Sequence, residues 1–196
     1  MIMVRIRNYR EDDNLKWVRC RVLSFLDTAY YDDVLKEKQH YKNSSIELVA
    51  EIDDKIVGLM DTEYEIEKGA VCYKSNELGA VIWHLAVLPE YRNKGISTAL
   101  LNQTINILKG KDIKVLQAWT RDDIWVNDWY KKRGFNWRES YLHVYKNRKD
   151  CDEFVQTKVE NVVICSCFAH YVGTNKEEIK DTFERVHECN LYELTI

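Results

Sequence analysis

The sequence predicts a mixed α/β fold, on three observations. An apolar run over residues 80–88 stops at Pro89, the one proline of the chain, and an amphipathic segment opens after a short polar turn. Stretches of strand-like and helix-like periodicity follow one another on both sides of that junction. No Gly-, Pro- or Ser-rich linker divides them, so residues 1–196 read as one domain.

The elements follow in order. Residues 4–9 alternate Val and Ile with Arg and Asn, a half-exposed first strand. Glu11, Asp12 and Asp13 place negative charge at the positive end of a helix running to about Leu26, with Leu15, Val18, Val22 and Phe25 on one side. Residues 30–41 read as a tyrosine-rich helix or loop. Strands at 46–52 and 55–65 flank Asp53 and Asp54, a hairpin turn without glycine. The run 80–88, with His84 as its one interruption, suits a strand covered on both faces. Ile96, Ala99, Leu100, Gln103, Ile107 and Leu108 then share a helix face, and Gly110 closes the helix. A strand at 114–120, a helix ending near Gly134, and strands at 136–145 and 162–172 come next. Residues 176–189 read as a terminal helix capped by Thr174 or Asn175, with Ile179, Phe183 and Val186 at helical spacing.

Composition narrows the function classes. A hydrophobic share of 45% over 196 residues buries a full core without disulfides or metal. A net charge of −3 with interspersed signs argues against a nucleic-acid surface. No apolar run has membrane-helix length and the opening Met-Ile-Met-Val-Arg-Ile-Arg is no secretory leader, so a cytoplasmic protein with no membrane contact is expected. The six cysteines form no C-x-x-C pair; Cys165 and Cys167 read as neighbours on one strand face, and reduced structural thiols are expected rather than a metal site.

The most informative stretch is the turn after Pro89. Free amides and the positive end of the helix dipole converge there, which suits an anion. It is not a P-loop, since Lys94 precedes Gly95 and no earlier glycine is in reach, and it lacks the three glycines of a dinucleotide fingerprint. What remains, Arg92-x-x-Gly95-x-Ser97, resembles the R/Q-x-x-G-x-G/A signature of the GNAT N-acetyltransferases, which hold the diphosphate of acetyl-CoA with it; Ser97 stands for the last glycine. Downstream, Trp129-Tyr130-Lys131-Lys132-Arg133-Gly134-Phe135 resembles the family's L-Y-x-K-x-G-F helix end. The resemblance covers roughly residues 3–145. It implies a central mixed, mostly antiparallel sheet flanked by helices, with 162–172 as the last strand and the terminal helical segment 174–196 as an addition.

The resemblance also implies an activity: transfer of acetyl from acetyl-CoA to a primary amine of a small molecule or peptide, by direct attack in a ternary complex. The family pattern assigns cofactor binding to Arg92, Asn93, Lys94, Gly95, Ile96, Ser97 and Thr98, and carbonyl polarisation to the amides of Leu85, Ala86 and Val87. Tyr130 becomes the general acid that protonates the departing sulfur. Two positions depart from the pattern. Trp83 stands where many members carry a glutamate or histidine aimed at the amine, and strand alternation turns His84 to the opposite face. Glu63 and Glu65 are then the candidate bases. Asp123 occupies the position of an asparagine that contacts the cofactor, where it either binds the pantetheine arm or caps the helix, and Asn127 lies three before the tyrosine. Tyr30, Tyr31, Trp83 and Trp119 would form an aromatic acceptor wall. Asp32 and Asp33, with Glu63 and Glu65, would favour a cation such as a polyamine, an aminoglycoside or a lysine side chain. A CoA-binding module without catalysis, with a regulatory or sensing role, is the alternative, and a homodimer is a candidate assembly.

Overall fold

The computed structural model describes residues 4–147 and 151–196; Met1–Met3, at the start read above for a leader, lie outside the described residues. Among the described residues eight strands form one sheet: β1 (Arg5–Asn8), β2 (Ser45–Ile52), β3 (Lys55–Tyr64), β4 (Gly79–Val87), β5 (Val115–Thr120), β6 (Asn136–Asn147), β7 (Ser166–Tyr171) and β8 (Arg185–Thr195). Their spatial order is β1-β2-β3-β4-β5-β8-β6-β7. Neighbours are antiparallel except β4 and β5, which run parallel and are joined by the helical crossover of α2 (Ile96–Lys109). The other helices are α1 (Asn14–Phe25), α3 (Ile124–Lys132) and the short α4 (Cys151–Phe154) and α5 (Lys176–Thr182).

Local chemistry explains most of these elements. Asp53 and Asp54 both take positive φ, 47° and 59°, the backbone a two-residue hairpin turn demands, and aspartate tolerates it. Leu100, Leu101, Thr104 and Leu108 of α2 are buried against the sheet. α1 departs from expectation: it buries Trp17, Cys20, Arg21 and Ser24, whereas Leu15 is 79% exposed. Residues 30–41 contain no helix; they are a loop.

The chain end is the main correction. The terminal helix expected over 176–189 stops at Thr182, and from Arg185 the chain is a strand inserted between β5 and β6. No residue of α5 is buried, and Phe183 beyond its end meets Phe154 edge-on, while Cys189, Leu191 and Tyr192 sink into the sheet. Without this strand β5 would end the sheet as an open edge with buried side chains on both faces. The strand expected over 162–172 is narrower and forms the sheet edge. Among the described residues no helix is long and apolar enough to cross a membrane, and no group of three or more His, Cys, Asp or Glu is placed to hold a metal ion. Cys20, Cys72, Cys165, Cys167 and Cys189 are free thiols.

Candidate functional site

β4 and β5 pair only from Gly79↔Val115 to Ile82↔Ala118. Beyond that point they part, and a cavity of about 730 Å³ opens between them. A bulge marks the parting: Asp61 of β3 faces His84 and Thr62 faces Ile82, leaving Trp83 as an extra residue on β4. A bulge bends its strand and re-aims the side chains beside it. Here it breaks the alternation expected to separate Trp83 from His84, and both line the cavity. The indole N–H of Trp83 donates to Glu63 Oε2 at 2.8 Å, and His84 Nδ1 accepts from Arg21 Nε at 3.3 Å.

Backbone donors face the gap. Leu88 donates its amide to Val57 of β3 at 2.9 Å, so by alternation the amides of Val87 and Leu85 point to the parted side. The amide of Ala86, expected to join them, is turned toward β3.

The turn opens α2 as an anion cradle. Pro89 starts a 3-10 turn, Asn93 takes φ 60°, and Gly95 takes φ 78° at the N-cap. A Cβ on Gly95 would meet nothing within 4 Å, and the N–H groups from Asn93 to Thr98 donate to no acceptor among the described residues. Gly58 lets the helix start approach closely, since a Cβ there would lie 3.0 Å from Ile96 Cγ2. A row of unpaired amides at a helix N-terminus fits a cofactor's diphosphate.

The side chains of the turn are divided. Arg92, Asn93, Ile96 and Ser97 line the cavity; Lys94, Gly95 and Thr98 do not. Lys94 Nζ donates to Glu90 O at 2.9 Å, and Thr98 Oγ1 accepts from Arg133 Nε at 3.1 Å. Arg92 is already bound: its guanidinium reaches both oxygens of Asp27 at 2.5 and 2.8 Å and the carbonyl of Ser24 at 2.7 Å, and lies over the Trp125 ring.

Tyr130 lines the same cavity and is 5% exposed. Its ring stacks on Tyr192 of β8 with centroids 5.6 Å apart and meets Phe135 edge-on at 5.1 Å. Burial raises its pKa, which keeps the proton on the oxygen, and that hydroxyl makes no hydrogen bond among the described residues. It is therefore an available donor.

The candidate bases are committed elsewhere. Glu65 lies outside the cavity and accepts the amides of Gly69, Val71 and Cys72 through Oε1 and that of Gly79 through Oε2, so it holds the 65–79 loop. Glu63 accepts from Asn43 N at 2.8 Å, Asn43 Nδ2 at 2.9 Å and Trp83, and does not line the cavity either. Burial and the nearby Arg21 and Lys38 push His84 down to about 3, so it is a neutral ring whose hydrogen sits on Nε2. Asp123 occupies the N-cap of α3, but its carboxylate makes no cap bond and accepts the amide of Ala29 at 3.0 and 3.1 Å. Tyr30, Trp83 and Trp119 line the cavity and Tyr31 does not. Tyr31 instead lies under Arg185, which grips Asp32 at 2.5 Å.

Sequence reasoning missed the contribution of α1 and the first turn of α3. Arg21, Ser24, Phe25 and Trp125 also line the cavity. The signal was the i, i+3, i+4, i+7 spacing of Trp17, Cys20, Arg21 and Ser24. An arginine in that set is ordinarily read as solvated.

The model of the acetyltransferase (GNAT) family matches residues 9–135. Among solved structures the chain is similar to the ribosomal-protein-S18-alanine N-acetyltransferase of Escherichia coli, at 13% identity and TM-score 0.60 over 99% of this chain and 94% of that one. It is similar to an N-acetyltransferase from Staphylococcus aureus Mu50, at 15% identity and TM-score 0.60 over 98% of each chain. It is also similar to a GNAT family acetyltransferase from Elizabethkingia anophelis with acetyl-CoA bound, at 16% identity and TM-score 0.53 over 98% of each chain.

Proposed function

Because this chain belongs to the GNAT acetyltransferase family, we propose that it is an acetyl-CoA-dependent N-acetyltransferase acting on a primary amine. The observation that carries the reading is one cavity with both ends of the chemistry: unpaired amides at the start of α2 and an unbonded Tyr130 hydroxyl. The amides of residues 93–98 would hold the diphosphate, and the pantetheine arm would run along the open edge of β4. The cofactor supplies an activated acetyl group. Leu85 and Val87 amides are oriented to polarise a carbonyl in the gap, a contribution on the order of a few kcal/mol. Tyr130 holds a proton where a thiolate would leave, and its packing against Tyr192 and Phe135 restricts the ring.

Removal of the amine's proton falls to solvent in this reading. Of the carboxylates that line the cavity, Asp33 is held by Arg21, Asp123 accepts the Ala29 amide and Asp128 stands 3.9 Å from Lys131. The want of a free base also favours a second reading, a CoA-binding module without catalysis. Thiol release from acetyl-CoA over a panel of amines decides between them. The transferase reading expects turnover, with kcat lowered about 10- to 100-fold in Tyr130→Phe while acetyl-CoA binding is kept. Tight acetyl-CoA binding with no turnover on any amine supports the module instead.

A further inference from the structure

The vertex at which the strands part is marked by two indoles. Ile82 and Ala118 are the last paired residues of β4 and β5, and the next residue on each strand is a tryptophan, Trp83 and Trp119. Both line the cavity, at the side away from the diphosphate turn. Trp83 stands on an inner strand of the sheet yet is 46% exposed. An exposed indole is usually free to change rotamer, but this one is tethered: Glu63 accepts its N–H, and the two Asn43 donors fix Glu63 in turn. Trp119 is held from behind by edge contacts with Tyr73 at 5.7 Å and Tyr141 at 5.0 Å. Two rings restrained in this way, both lining the cavity, present a preorganised apolar surface to a flat group.

Much of the charge around the cavity is already engaged. Asp33 forms an ion pair with Arg21 at 2.9 Å, and Arg21, almost fully buried, also donates to the Asp33 carbonyl. The carboxylate of Glu63 is shared among three donors and does not line the cavity. Of the carboxylates that line the cavity Asp33 is neutralised by Arg21, Asp123 accepts the Ala29 amide and Asp128 stands 3.9 Å from Lys131, so a polyamine or an aminoglycoside would find few anions to repay desolvation of its further ammonium groups. A molecule with one amine and one ring loses nothing by this.

On the N-acetyltransferase reading above, we propose that the acceptor is an arylalkylamine, its ring held at the strand vertex by Trp83 and Trp119 and its amine directed into the gap toward the Leu85 and Val87 amides. Glu63 is then a positioning residue, acting through the Trp83 indole. Trp83 stands where the sequence pattern led one to look for a base, and its part is to select.

The test measures kcat/KM at saturating acetyl-CoA for 2-phenylethylamine, spermidine and a lysine amide, by thiol release. The inference expects 2-phenylethylamine to be preferred by roughly tenfold or more, with Trp83→Ala raising its KM about tenfold and erasing most of the preference. Glu63→Gln, which still accepts the indole hydrogen, keeps the preference, and Glu63→Leu weakens it through KM. Unfolding temperatures and Trp83→Phe, which retains a ring, separate lost selection from lost fold. Preference for spermidine or the lysine amide keeps the transferase reading and overturns the inference, as does a Trp83→Ala loss that is equal for all three amines. Should no amine turn over, binding of 2-phenylethylamine to the CoA-saturated protein is followed by tryptophan fluorescence. Binding that Trp83→Ala abolishes supports the slot while the transferase reading fails, and no binding overturns the slot as well.

Discussion

His84 shows how far the meaning of one residue depends on its neighbours. In the sequence it is the one titratable side chain in an apolar strand beside the expected thioester. In the fold Arg21 donates to its Nδ1, and burial holds its pKa at about 3. His143 is lowered to about 3 in the same way, burial acting first and the nearby Arg121 second, with Arg121 Nε donating to its Nδ1 at 3.1 Å. An unfolded chain protonates both rings below about pH 6.5 whereas the folded protein refuses those protons, so stability is complete above that value and falls as pH drops toward about 3. Asp61 acts in the opposite sense: burial raises it to about 6, so the folded state takes its proton first and recovers part of the loss between about pH 6 and 4. The net expectation is a loss of roughly 2–3 kcal/mol between about pH 7 and pH 5, measured by urea unfolding, with His143→Asn reducing the loss by about 2 kcal/mol. Equal stability at the two pH values would refute the assignment. None of this was legible in the sequence, because an arginine reaching a histidine from another element leaves no mark on the spacing of either.

At the scale of elements, the legible parts were those with local signals. Pro89 ends β4, Gly95 opens α2 with a left-handed backbone, and Asp53 and Asp54 turn the β2–β3 hairpin; each is a short-range constraint written in residue type. β8 was misread because its start carries Val186 at helical spacing from Ile179 and Phe183, and only pairing with β5 and β6 makes it a strand. The bulge at Trp83 was missed for a related reason, since it exists only in the pairing of β4 with β3. β8 matters to the site because Tyr192 supports the ring of Tyr130. Tyr192→Ala is expected to cost about 2–4 kcal/mol in unfolding and to lower kcat about tenfold, by leaving the Tyr130 ring loose. If stability falls and kcat does not, β8 props the fold and not the acid.

At the scale of the whole molecule, the loop after α1 is the meeting place of distant segments. Arg21 of α1 holds Asp33, Arg121 after β5 holds the Ala29 carbonyl, Arg185 of β8 holds Asp32, and Arg92 of the turn holds Asp27. Four arginines from four parts of the chain thus position the loop that carries Tyr30 to the cavity. The sequence disclosed the turn and the end of α3 with Tyr130, which are compact motifs, and hid this assembly, whose members lie up to 156 residues apart. Asp27 also sets a negative charge beside a cradle meant for a diphosphate and occupies its arginine. Asp27→Asn is therefore expected to tighten acetyl-CoA binding by about three- to tenfold in calorimetry, with a weaker effect at high salt. Weaker binding in that variant would mean that the ion pair builds the cradle rather than competing with it.

The central claim is that the unpaired amides from Asn93 to Thr98 receive the cofactor. Hydrogen exchange of the protein with and without acetyl-CoA reads those amides directly. The account predicts that exchange slows about tenfold or more across residues 93–98 when acetyl-CoA is added, together with slowing at Leu85 and Val87. Protection elsewhere while the start of α2 exchanges as fast as before would contradict it.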